Sequence, residues 1–173
     1  MRHQRVVTGV SGSPGSLTAL HRAAAEARLR NAELWVVLAW QAPGGAQPLG
    51  RHCGGGTSSP APGRAAAVEQ LRGALDTAFG TVRPGVTLAG LTVRGTPGAA
   101  LVDATRDADD LIVVGTGSRS LIRRLRPSVA RYCQTHAACP VLAVPPSPLQ
   151  ADLDAVHRRN LWRLPLDLRE LAT

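Results

Sequence analysis

Residues 115–129, GTGSRSLIRRLRPSV, combine residue types that proteins use to hold phosphate. The stretch follows an apolar run, opens with Gly115 and Gly117, contains four arginines and no acidic residue, and ends in Pro-Ser-Val. Glycines let backbone N–H groups approach a phosphate, and guanidinium groups make strong charge-assisted hydrogen bonds to its oxygens. A helix starting near Pro127 would add free N–H groups and a favourable dipole. The residue types therefore indicate an anion site.

No other motif in the chain predicts catalysis or metal binding. The chain has no lysine, hence no P-loop motif, and it has neither a GxGxxG nor a GxSxG motif. The segment GVSGSPG at 9–15 matches neither nucleotide fingerprint, so we interpret it as a tight turn. Asp109 and Asp110 have no third ligand nearby in sequence, which favours a structural role over a metal site. The sequence predicts no catalytic residue, no metal and no enzyme activity.

The cysteines Cys53, Cys133 and Cys139 are odd in number and have no CxxC spacing. This argues against a disulfide framework and favours a reducing, cytoplasmic location. Cys133 and Cys139 lie among apolar residues and are predicted core thiols, whereas Cys53 is the better candidate for an exposed thiol. No segment is long and apolar enough to predict a signal peptide or a membrane span.

Length and composition predict a single domain with an aliphatic core. The chain has 173 residues, of which 44% are hydrophobic, 3% aromatic and 18% charged. The net charge of +8 comes entirely from arginine and favours anionic partners. No stripe of basic residues interleaved with aromatic ones is present, which argues against nucleic acid as the partner. A basic nucleic-acid-binding module is therefore the weakest of the function classes considered.

Apolar runs and helical periodicities alternate along the chain. The runs are nearly continuous rather than alternating, which is typical of strands buried on both faces of a parallel sheet; they lie at 6–10, 34–40, 86–93, 111–115 and 140–145. Helical segments, capped by residues such as Ser16 and Thr96 or opened by proline, are predicted at 16–31, 64–80, 96–109 and 127–137. This order predicts an α/β fold with right-handed crossovers.

Two segments fall outside this alternation. Residues 41–63 are dense in Gly, Pro and Ser and predict a flexible loop at the edge of the sheet where α/β proteins bind ligands. The extension 146–173 follows the last strand, and its apolar spacing predicts one short amphipathic helix that Pro165 prevents from growing longer. Acidic residues among its arginines argue against a membrane partner, so packing on its own domain or across a dimer is the simpler account.

The strand, glycine-rich turn and helix at 111–145, together with VVTGVSGSPGS at the start, resemble the universal stress protein family over residues 4–145. The resemblance implies a five-stranded parallel sheet in a flavodoxin-like three-layer αβα sandwich forming a domain at 1–145. It also implies a homodimer paired through the last strand, 140–145. Many members of the family bind ATP and many others do not.

The resemblance implies a nucleotide site along the carboxyl ends of the strands. Its candidate residues are Val10, Ser11, Trp40, Val114, Gly115, Thr116, Gly117, Ser118, Arg123, Arg124, Ser128 and Val129. The family's binding motif is Gly-x-x-Gly, nine residues, then Gly followed by Ser or Thr, with an Asp at the end of the first strand. Here Ser118 replaces the second glycine, Pro127 replaces the third after a loop one residue shorter, and Ser11 replaces the Asp.

These departures leave two interpretations open. In the first, the protein is a stress-response regulator that binds ATP or AMP at a remodelled loop, with arginines such as Arg119 replacing lost donors and Trp40 offering a stacking face. In the second, the turn only connects a strand to a helix, Trp40 is a core or rim residue, and the protein is a nucleotide-free dimeric adaptor for a protein partner. The departures count against tight binding of ATP.

Overall fold

A computed structural model gives the structure of residues 4–41, 60–80, 84–116 and 128–147, with backbone alone for 60–62. Strands and helices alternate through these residues. In chain order they are β1 (Arg5–Gly9), α1 (Pro14–Arg30), β2 (Glu33–Trp40), α2 (Pro60–Phe79), β3 (Leu88–Arg94), α3 (Pro97–Ala104), β4 (Leu111–Gly115), α4 (Val129–His136) and β5 (Val141–Val144). No helix within the described ranges is both long and apolar enough to cross a membrane.

The strands form one parallel sheet in the order β3-β2-β1-β4-β5. Helices α1 and α2 pack on one face of this sheet, and α3 and α4 pack on the other. The predicted three-layer αβα fold with a five-stranded parallel sheet is therefore confirmed. The order of the strands reverses between β1 and β4, at the centre of the sheet.

The two faces of the central strands are both buried, which explains their nearly continuous apolar sequences. In β1, Val6 packs under α1 while Val7 packs under α3 and α4, and both have no exposed surface. Leu20 of α1 and Leu101 of α3 are the largest fully buried side chains that the described helices contribute to the two faces. Alanine and valine supply most of the rest of the core in the described residues.

Three helices begin at prolines in the described residues: Pro14, Pro60 and Pro97. Proline is tolerated in the first turn because the N–H group it lacks would have no partner within the helix. As a result, α2 begins four residues before its predicted start, and the last four residues of the predicted 41–63 loop are helical; the remainder, 42–59, lies outside the described residues.

Three further helix boundaries were predicted wrongly. Ser13, not Ser16, caps α1, since its Oγ accepts a hydrogen bond from the Ser16 N–H at 3.3 Å. Helix α3 ends at Ala104 rather than at residue 109, and Thr105 Oγ1 donates to the Val102 carbonyl at 2.7 Å just beyond it. Helix α4 starts at Val129 with Ser128 as its cap, two residues after the predicted start at 127, which lies outside the described residues.

The carboxylate of Asp110 joins two distant parts of the chain at the amino edge of the sheet. It is 1% exposed and accepts hydrogen bonds from the backbone N–H groups of Arg5 (2.8 Å), Arg106 (2.8 Å) and Asp107 (3.2 Å). The Arg5 guanidinium lies 3.8 Å from the centre of the Trp35 ring and donates to a backbone carbonyl of α3. Asp110 therefore closes the turn before β4 and fastens it to β1, as the structural interpretation of this acid predicted.

Cys133 and Cys139 are buried on the α3 and α4 face, as predicted for core thiols. Burial raises the pKa of Cys133 from 9.0 to about 11 and also raises the pKa of Cys139. Only thiolates react as nucleophiles, so both thiols are protected twice, by inaccessibility and by protonation.

We expect iodoacetamide at a pH of about 8 to leave Cys133 and Cys139 of the folded protein unmodified, whereas both react in guanidinium chloride. Peptide mass spectrometry reads the modified positions. The unfolded state loses the Cys133 proton near pH 9 while the folded state keeps it to about 11, so stability falls as the pH rises through that window. Rapid alkylation of Cys133 in the folded protein would contradict its assignment as a buried, protonated thiol.

Candidate functional site

The candidate site lies at the carboxyl edge of the sheet, where the strand order reverses. The chain leaves β1 toward α1 on one face and leaves β4 toward α4 on the other. In open α/β sheets, connections that diverge in this way leave a crevice between the two strand ends, and ligands bind there. The predicted residues Ser11, Gly115 and Thr116 follow or end these two strands.

Three serines organise the turn that leads from β1 into α1. Gly12 has a φ of +76°, a conformation that favours glycine, and this turns the chain into the helix. The Ser11 N–H donates to Ser16 Oγ at 3.3 Å, Ser16 Oγ donates to the Ser13 carbonyl at 2.7 Å, and the Ser11 and Ser13 hydroxyls are 3.0 Å apart. Ser11 and Ser13 are exposed, so their hydroxyls can also meet a ligand at this helix start.

Gly115 lets the end of β4 approach the first turn of α1. A Cβ built on Gly115 would lie 2.8 Å from the Gly15 carbonyl oxygen and 3.3 Å from its carbonyl carbon. Because both atoms belong to the backbone, a side chain at this position would displace the start of α1. The structure therefore requires glycine at the position where the sequence predicted the first glycine of a phosphate cradle.

The other end of the crevice is formed by Thr116 and the start of α4. The Thr116 N–H donates to the Val144 carbonyl of β5 at 2.9 Å, which fixes the backbone just after β4. Ser128 Oγ accepts from the Arg131 N–H at 3.1 Å and caps α4, with the Ser128 side chain exposed. Val129 is half-buried and packs on the core, so only its backbone is suited to contact an anion.

Two predicted site residues, Val10 and Val114, have side chains in the core. Val10 is 5% exposed and packs under α1, and Val114 is 3% exposed and packs on the α3 and α4 face. A ligand at the edge of the sheet can meet their backbone only. Gly117, Ser118, Arg123 and Arg124 lie outside the described residues.

Trp40 packs against α2. The ring is half-buried on the α1 and α2 face, and a Cβ built on Gly63 would lie 2.9 Å from Trp40 Cζ3. The Trp40 carbonyl accepts a hydrogen bond from the Gly95 N–H at 2.9 Å, and this bond joins the ends of β2 and β3. This geometry favours the core-or-rim interpretation of Trp40 over that of an open stacking platform.

The sequence interpretation missed Ser13, Ser16 and Gln70 as parts of the site. Gln70 of α2 donates from Nε2 to the Ser11 carbonyl at 3.3 Å, which ties the β1 turn to the neighbouring helix. The alternation of serine with glycine and proline in SGSPGS is a signal for a capped helix start and could have found the two serines. Nothing in the sequence links Gln70 to position 11.

A sequence family and several solved structures match this chain. The model of the universal stress protein family matches residues 2–145. No curated protein matches the sequence of this chain.

Among solved structures, a universal stress protein in complex with cAMP is 30% identical, with a TM-score of 0.60, over 85% of this chain and 100% of that one. A universal stress protein from Archaeoglobus fulgidus is 26% identical, with a TM-score of 0.57, over 83% of this chain and 98% of that one. A third structure, the universal stress protein from Archaeoglobus fulgidus in complex with dAMP, is 24% identical over the same shares with a TM-score of 0.57, and supports the fold.

Proposed function

Because this chain belongs to the universal stress protein family, we propose that it is a stress-response regulator that binds ATP or AMP at the carboxyl edge of its sheet. The observation that carries the proposal is the close approach of Gly115 to Gly15, which joins the end of β4 to the start of α1 with no side chain between them. A relative that is 30% identical was solved in complex with cAMP, a ligand of the same chemical class.

The phosphates would lie between the two helix starts. Helix α1 has 17 residues and no acidic side chain in its first turn, and α4 likewise has none there. Both therefore present the positive end of a helix dipole to an anion. The exposed hydroxyls of Ser11, Ser13 and Ser128 add donors that can rotate toward phosphate oxygens.

The segment 117–127 would supply the charge. It contains Arg119, Arg123, Arg124 and Arg126 and no acidic residue, and it joins Thr116 to Ser128. An arginine that forms charge-assisted hydrogen bonds to a phosphate contributes about 1.5–3 kcal/mol per bond. These arginines would offset the donor lost at Pro127 and the glycine lost at Ser118.

Binding, rather than turnover, is the proposed role of the nucleotide. Within the described ranges, the exposed groups of the crevice are hydroxyls and backbone N–H groups, which hold an anion but supply no general base. We propose that the bound nucleotide changes which protein partner the molecule accepts, and that it does so in the cytoplasm.

A homodimer paired through β5 is part of the proposal. β5 is at one end of the sheet, and its residues Val141–Val144 are only half-buried although all four are apolar. No described strand pairs with the outer edge of β5, and a second copy of β5 would satisfy the backbone groups of this edge and cover its side chains. Thr116 is hydrogen-bonded to Val144, so the dimer edge and the nucleotide site would share a backbone connection.

Calorimetric titration of the full chain with ATP and with AMP, in the presence of EDTA, tests the proposal. We expect saturable binding that weakens at least about tenfold in an Arg123→Ala plus Arg124→Ala variant. The matched control is Arg22→Ala plus Arg30→Ala, which removes two arginines that pair with Glu26 on α1 and is expected to leave the affinity unchanged.

If neither ATP nor AMP gives heat or a shift in melting temperature at millimolar concentration, the site does not bind nucleotide. The protein would then fit the nucleotide-free dimeric adaptor that the sequence left open.

A further inference from the structure

Acidic side chains are segregated to one side of the domain. Up to residue 147 the chain contains eight, which are Glu26, Glu33, Glu69, Asp76, Asp103, Asp107, Asp109 and Asp110. All but Glu69 lie in the C-terminal half of a helix, in the turn before β4 or at the start of β2. In each case the chain is approaching the amino end of a strand, so these acids lie toward the amino edge of the sheet. Glu69 lies in the middle of α2, where its carboxylate pairs with Arg72 at 2.7 Å.

Several of these acids are already engaged at the amino edge. Glu26 pairs with Arg22 at 2.6 Å and with Arg30 at 3.5 Å, and Glu33 accepts from Trp35 Nε1 at 3.0 Å. Asp110 is buried and accepts from three backbone N–H groups. None of them is placed to reach a ligand at the opposite edge of the sheet.

The carboxyl edge has the reverse composition. The part of each connection that directly follows the carboxyl end of a strand is free of Asp and Glu in sequence, because residues 1–25, 34–68, 77–102 and 111–151 contain neither. The same connections contain arginines, among which Arg64, Arg94 and Arg131 are exposed on the described part of the chain. The two helix starts add partial positive charge.

This composition does not fit a nucleotide-bound Mg²⁺ ion. Proteins usually hold a nucleotide's Mg²⁺ through one or two carboxylates, while phosphate oxygens and waters complete the octahedron around the metal. Among the described residues at the carboxyl ends of β1 and β4, the exposed side chains include hydroxyls, such as that of Ser11, and no carboxylate. The described ranges also bring together no group of three His, Cys, Asp or Glu side chains that could hold a metal.

We infer that the site binds the metal-free polyphosphate in preference to its Mg²⁺ complex. The inference rests on the proposed function and specifies its ligand. Mg²⁺ cancels two of the negative charges that the helix starts and the exposed Arg131 attract, and the described residues of this edge offer the metal no carboxylate in return. A loss of attraction of this size between partly exposed charges corresponds to an affinity lower by about tenfold.

Titration of the full chain with ATP in EDTA and in millimolar Mg²⁺, at matched ionic strength, tests the inference. We expect the dissociation constant to rise about tenfold in Mg²⁺. Equal or tighter binding in Mg²⁺ overturns the inference and leaves the proposed function intact. An absence of binding in both buffers overturns the proposed function and the inference with it.

Two variants show whether local carboxylates set the metal dependence. Ser11→Asp places an acid at the exposed end of β1, and we expect it to abolish the preference for metal-free ATP. If the preference persists unchanged in Ser11→Asp, the inference is wrong. Asp152→Asn plus Asp154→Asn removes the first acids after β5 and is the matched control, expected to keep the wild-type preference; a preference that changes in it would place the cause in the extension and overturn the inference.

Discussion

Replacement of Asp110 by alanine is expected to lower the free energy of unfolding by about 3 kcal/mol. The carboxylate is 1% exposed and accepts three backbone hydrogen bonds, so its removal leaves three donors without their partner. Bonds to a charged acceptor contribute more than neutral ones, and the Arg5 N–H is itself buried. The loss should also loosen the attachment of the turn before β4 to the start of β1.

Urea unfolding followed by circular dichroism measures this effect. Asp109→Ala is the matched control, because Asp109 is the exposed neighbour, and its interaction with Gln4 uses a backbone carbonyl that the substitution keeps. We expect the control to change stability by no more than about 0.5 kcal/mol. Equal stability of the two variants would show that the three hydrogen bonds to Asp110 contribute little.

Replacement of Gly115 by alanine is expected to damage both stability and nucleotide binding. The added Cβ would lie 2.8 Å from the Gly15 carbonyl oxygen, a backbone atom that can move only with the first turn of α1. Overpacking of this kind costs about 1–3 kcal/mol. The displaced turn carries Ser13 and Ser16, so the affinity for ATP should also fall, by about tenfold or more.

Gly73→Ala is the control for the Gly115 variant. Gly73 is exposed in the interior of α2, and a Cβ built there meets no atom within 4 Å. Alanine should therefore raise stability by about 0.5–1 kcal/mol through its helix propensity, the opposite sign to Gly115→Ala. Melting temperatures and ATP titrations of the two variants give the comparison, and a Gly115 variant as stable as wild type would refute the steric argument.

The architecture could be predicted from one sequence because a strand that is buried on both faces has a nearly continuous apolar sequence. The apolar run at 111–115 coincides with β4, and the run at 34–40 differs from β2 by one residue. Glycine at 115 was identified as special from the motif alone. Its physical reason, the approach to Gly15, depends on two segments 100 positions apart and could come only from the structure.

Helix ends were less predictable, since they depend on competing polar groups. Ser13 and Ser16 are both suited to cap α1, and the turn at Gly12 decides between them. The helical pattern at 96–109 continues past Ala104, yet Asp110 takes the N–H groups of Arg106 and Asp107 and ends the helix early. That contact cannot be inferred from local propensity, because the same carboxylate also binds Arg5.

The position of β4 next to β1 has a consequence for how the domain assembles. β1, β2 and β3 are neighbours both along the chain and in the sheet, so they can pair while the chain is still being synthesised. The junction of β1 with β4 joins residues about a hundred positions apart, as the Arg5–Asp110 bond at a separation of 105 shows, and it carries the largest entropy of loop closure. We therefore expect the pairing of β1 with β4 to be a late step of folding, and a nucleotide bound between these strands would stabilise the strand pair with the largest separation along the chain.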